Sequence, residues 1–96
     1  MTITKIFNIS KGKEPNQTLL NLKILKGVLK TGMKGILNGK SLVIVELISG
    51  RGVENNEYRV EKSPKEVREG WMAVALVTGG DQTFFEKNKA IPIEFT

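Results

Sequence analysis

Apolar and polar residues alternate along much of this chain with a period of two, the signature of strands with one face buried. Ile3 to Ile9 predicts a first strand. Leu20, Leu22 and Ile24 alternate with Asn21 and Lys23 to give a second, and Leu25 breaks the alternation as a strand does near a bend or bulge. Met33 to Leu37 predicts a short strand, and Asn38-Gly39 is the dipeptide that favours a tight hairpin. Leu42 to Ile48 is β-branched and reads as central. Tyr58 to Glu61 alternates again, Trp71 to Val77 reads as a buried strand, and Ile91 to Phe95 as the last one.

The segments between are polar or rich in glycine, asparagine and proline. Ser10 to Gln17 and Ser49 to Asn56 are expected to be exposed loops, and Gly27 to Gly32 a reversal with glycine at each end. Ser63-Pro64-Lys65-Glu66 has the form of a capping box, although Gly70 leaves room for one helical turn at most. Short strands at even spacing with almost no helix predict an all-β fold: a single domain over residues 1–96, a small closed or nearly closed β-barrel.

Composition narrows the chemistry. There is no cysteine and no histidine, so disulfides, thiolate nucleophiles and the commonest general base are excluded. No metal or cofactor site is expected. Gly39-Lys40-Ser41 resembles the end of a phosphate-binding loop, but the glycine required five residues before Gly39 is replaced by Lys34, so no nucleotide is implied. Glu54, Glu57, Glu61, Glu66 and Glu69 are interleaved with Arg59, Lys62, Lys65 and Arg68, a solvated, self-paired surface rather than an acid–base pair. The reading is non-enzymatic. No apolar run approaches the ~20 residues of a membrane helix. Met1 to Ile6 lacks the apolar stretch of a secretory signal, so a cytoplasmic address is expected.

Charge is unevenly distributed. Met1 to Lys40 holds eight lysines against one acid, Glu14, for a net +7. Ser41 to Thr96 holds seven basic and nine acidic residues, for a net −2, so the basic half alone accounts for the overall +5. Such a half is the footprint expected for RNA or a ribonucleoprotein, or a solubilising coat on strand edges. The candidate RNA contacts are Lys11, Lys13, Lys23, Lys26, Lys30, Lys34 and Arg51, with the proviso that lysines on opposite strand faces cannot share one patch. Trp71 is expected in the core. Phe84-Phe85, if in a strand, would turn one ring outward and make the best aromatic candidate for a protein contact.

Several segments together resemble the second domain of translational GTPases, the β-barrel that follows the GTPase domain in elongation factor Tu. They are Ile6-Phe7-Asn8-Ile9-Ser10, the run Leu22 to Gly32 with its two glycines, Val67-Arg68-Glu69-Gly70 leading into Trp71 to Val77, and Phe85 to Ile91. The likeness covers most of the chain and rests on hairpin glycines and strand alternation, which report fold rather than activity. The acidic turn of that family is shortened to Trp71-Met72-Ala73, so no tRNA-pocket residues carry over, and the GTPase motifs are absent. The resemblance implies a free-standing docking module. The rival expectation is a protein–protein adaptor or a self-associating barrel that binds no nucleic acid.

Overall fold

The computed structural model describes all residues, 1–96. Nine strands and one short helix follow in chain order. They are β1 (Thr2–Lys11), β2 (Gln17–Lys26), β3 (Leu29–Lys30), β4 (Lys34–Leu37) and β5 (Lys40–Glu54), then β6 (Glu57–Lys62), β7 (Glu66–Val67), β8 (Met72–Thr78), α1 (Gln82–Lys87) and β9 (Ile93–Phe95). Strand makes up 61% of the chain and helix 6%, so the fold is all-β.

Six strands close on themselves. The order β4-β9-β1-β2-β8-β5 is completed by pairing of β4 with β5, so the ring has no free edge. Every neighbouring pair is antiparallel. Closure needs strands that bend, and the bends come from bulges. In β1–β2, Ile3 faces Lys26 while Thr4 faces Ile24, so Leu25 is the extra residue that its break in the alternation announced. In β5–β8 the register shifts twice, between Ile44 and Glu46 and between Leu47 and Ser49.

The alternation sorts the interior. Ile6, Leu20, Leu22, Ile24, Leu42, Ile44, Ala73, Ala75, Val77, Ile93 and Phe95 point inward and belong to one core. Ala73 and Ala75 stand opposite Leu22 and Leu20, small residues giving room to large ones. Three buried hydroxyls are satisfied by backbone carbonyls: Thr4 Oγ1 donates to Ile93 O at 3.0 Å, Thr18 Oγ1 to Gly80 O at 2.8 Å, and Thr2 Oγ1 to Val28 O. Where β8 begins, the barrel is covered by Trp71 and by the small β3–β7 sheet, in which Leu29 faces Val67. Where β8 finishes, α1 lays the fully buried Phe85 against the core.

Several connections differ from the sequence expectation. Asn38-Gly39 forms the expected tight turn, with φ of 47° and 84°. The Ser49–Asn56 loop does not exist: β5 runs on to Glu54 and turns at Asn55-Asn56, whose φ values of 52° and 65° define a second two-residue hairpin. Gly50 and Gly52 are therefore strand residues. A Cβ at Gly50 would lie 2.9 Å from Val67 Cγ2, and one at Gly52 would collide with the Trp71 ring, so glycine here is a floor for packing. The Ser10–Gln17 loop shrinks to residues 12–16, because β1 extends to Lys11 and β2 starts at Gln17. Ser63-Pro64-Lys65-Glu66 makes no helical turn: Ser63 adopts a φ of 47°, and Glu66 and Val67 pair with β3 because Val67 is drawn into the core.

Candidate nucleic-acid interface

Residues directly opposite one another in an antiparallel sheet project to the same face. Lys5 on β1 faces Lys23 on β2, Lys23 faces Met72 on β8, Met72 faces Arg51 on β5, and Arg51 faces Val60 on β6. Their neighbours along each strand, Ile6, Leu22, Ala73 and Gly50, are buried. The row therefore lies on the outside of the barrel and crosses five strands. At about 4.8 Å per strand, Lys5, Lys23 and Arg51 fall within about 15 Å of each other.

Beside this row, where β8 begins and the β5–β6 hairpin leaves the ring, the surface sinks into a hollow of about 480 Å³. Its lining includes Lys23, Arg51, Val53, Tyr58, Arg68 and Trp71. Lys23 Nζ donates to Gly70 O at 2.6 Å, which anchors its stem along the wall. The Arg68 guanidinium lies 4.5 Å from the centre of the Trp71 ring and is ion-paired with Glu54 and, at 3.6 Å, with Glu61. Arg68 is thus held and neutralised, and Trp71, 4% exposed, is core beneath it. Glu69 accepts from Gly27 N–H at 2.9 Å. Lys5, Lys23 and Arg51 have no acidic partner within 4 Å, and Tyr58 presents an open ring beside them.

The seven basic candidates do not form one patch. Lys23 and Arg51 are brought together. Lys26 ends the same strand as Lys23, opposite Ile3. Lys11 lies at the far end of the β1–β2 hairpin, opposite Thr18 and about 17 Å along the strand from Lys23. Lys13, beyond it, is paired with Glu46 at 3.4 Å. Lys30 is on the small β3–β7 sheet opposite Glu66, and Lys34 is on β4, where it lines a separate groove of about 410 Å³ with Ile36 and Glu94. Lys5, Tyr58 and Arg68 were not among the sequence candidates. Lys5 carried the alternation signal of an outward residue, but nothing local places it beside Lys23.

Phe84 and Phe85 lie on α1, not on a strand. Asp81 caps the helix by accepting from Phe84 N–H at 2.8 Å, so Asp81 is structural. Phe85 is enclosed by the core, whereas Phe84 is half-buried, edge-to-face with Phe85 at 5.4 Å and under Lys40 Nζ at 4.9 Å. A helical turn sets the two rings about 100° apart rather than on opposite faces, so Phe85 offers no contact surface. No three acidic side chains gather where they could hold a metal ion, and no helix is long and apolar enough to cross a membrane.

The fold and this surface define a class: a closed six-stranded barrel with a protruding hairpin and a basic outer row. No family model, curated protein or solved structure matches the chain.

Proposed function

We propose that the chain is a non-enzymatic docking module of the translation-factor barrel type. On this reading it works in the cytoplasm and contacts RNA phosphates through the Lys5–Lys23–Arg51 row and the adjoining hollow. One observation carries this reading: three cations from three separate strands share one outer row without acidic partners, next to the open ring of Tyr58. Unpaired cations release counterions when they meet phosphate, and an exposed aromatic ring can stack on an unpaired base.

The test is anisotropy of a labelled structured RNA titrated with the chain at several salt concentrations, with heparin as competitor. Lys23→Glu/Arg51→Glu is expected to weaken binding steeply and to lower the salt slope by about 0.7–0.9 per lost phosphate contact. Lys11→Glu/Lys34→Glu, the same two charge reversals made on other faces, is expected to change it far less. Equal losses in the two double variants, or full displacement by heparin at matched charge, would refute docking at this face.

A further inference from the structure

Outside the barrel, β6 pairs with β5 alone, and all six of its residues are exposed. We propose that this edge is a dimerisation strand: two copies of the chain pair antiparallel, β6 against β6, about a two-fold axis at Val60. The inference goes beyond the RNA reading and stands without it.

The backbone fixes which residues can pair. Glu54 and Glu57 flank a two-residue turn and form a hydrogen-bonded pair, so Glu57, Arg59 and Glu61 turn their N–H and C=O groups toward β5. Ser63 N–H, donating to Ile48 O at 2.9 Å, continues that alternation. Tyr58, Val60 and Lys62 therefore turn theirs to the open side. A second β6 must match open-side residues with open-side residues, which restricts the register to steps of two.

Charge and strand length then select one register. With Val60 opposite Val60, Tyr58 faces Lys62 and Arg59 faces Glu61, each twice, with about six backbone hydrogen bonds between the strands. One step to one side sets Arg59 against Arg59 and Glu57 against Glu61. One step to the other sets Glu61 against Glu61 and Tyr58 against Pro64, which has no N–H to give. Like charges directly opposite repel, so both alternatives are disfavoured. Two steps toward the turn would also set Glu57 against Arg59, but that register puts Val60 opposite Asn56, a turn residue with φ of 65°, and leaves only the Tyr58 pair to bond. Edge strands usually carry charges that repel a second copy. These charges instead complement their own rotated image, although Arg59 already touches Glu54 and Glu57, and Glu61 touches Arg68.

The apolar surface agrees. Val53, Tyr58 and Val60 are 65%, 64% and 58% exposed and share the outer face of the hairpin, since Val53 faces Tyr58 and Arg51 faces Val60. The dimer places the two Val60 side chains together at the axis with a Tyr58 on each side. The partner that fits is thus a second copy of the chain.

Analytical ultracentrifugation of the full chain over a wide concentration series reads the prediction as a monomer–dimer transition. Arg59→Glu is expected to move its midpoint at least about tenfold higher, equivalent to about 1.4 kcal/mol. Arg59→Glu/Glu61→Arg, which restores the opposite charges across the axis, is expected to bring it back. Val60→Pro removes an N–H that faces solvent in the monomer and is expected to abolish the dimer, with its circular dichroism unchanged. Amide exchange gives a readout independent of variants: Tyr58, Val60 and Lys62 gain protection as concentration rises, while Arg59 and Glu61 are protected throughout. A chain monomeric at every concentration overturns the proposal and leaves the edge to a strand of a different protein. A dimer indifferent to Arg59→Glu and Val60→Pro overturns it in favour of another face.

Discussion

Along its first half, β5 sends Leu42, Ile44 and Leu47 into the barrel, with β4 and then β8 beside it. Its last three residues, Gly52 to Glu54, have only β6 for company because β8 begins at Met72 opposite Arg51, and the hairpin formed there has almost no enclosed side chains. The two regions share backbone geometry and differ in what the side chains gain. In the ring, each inward residue leaves water, worth about 1.5–3 kcal/mol for a fully buried aliphatic side chain. In the arm, alternation persists while burial does not, so the hairpin relies on its turn, its ladder and the Trp71–Arg68 corner beneath Gly52. A strand kept regular without a core to fill is available for contacts with something else.

That contrast can be broken from the barrel side first. Leu22→Ala removes an enclosed side chain opposite Ala73 and should cost about 2–5 kcal/mol in denaturant unfolding. Gly52→Val sits where barrel and arm meet. It should cost about 1–3 kcal/mol by overpacking the Trp71 ring. Trp71 is the only tryptophan, so its fluorescence should shift in the folded state as well. An unchanged spectrum would mean that the arm can swing off Trp71 and that Gly52 is not a floor. Asp81→Ala should cost about 1 kcal/mol by uncapping α1, the helix that delivers Phe85 to the core.

The ring was legible in the sequence because each of its signals is local. Leu20-x-Leu22-x-Ile24 gave β2 its inward face, Leu25 marked a bulge, and Asn38-Gly39 set a hairpin. The arm was not, because Gly50-Arg51-Gly52 has the chemistry of a loop. Only Val67 and Trp71, far along the chain, require glycine in a strand there. Likewise Ser63 to Glu66 satisfies the local rule for a helix start, and the burial of Val67 overrides it. α1 spans six residues, too few for a 3.6-residue period to show. The basic row was half visible. Lys23 and Arg51 were recognisable as outward cations, but Lys5, Lys23 and Arg51 become neighbours only through strand register, which alternation alone does not reveal.

The smallest expected effect tests the contrast most directly. Val53→Ser and Tyr58→Ser replace two of the most exposed apolar side chains of the arm. At protein concentrations low enough to keep the chain monomeric, each should change unfolding free energy by no more than about 0.5 kcal/mol. Local opening should match: amides of Gly52 and Arg59, which hold the hairpin ladder, should exchange faster than those of Leu22 and Ala75 in the ring. A loss above about 1 kcal/mol for either substitution would place the arm inside the cooperative unit of the barrel. Val53 and Tyr58 would then be there for stability. A loss within the smaller bound leaves no folding reason for two large apolar residues to stand in water on a regular strand edge, and what remains to account for them is the surface they present.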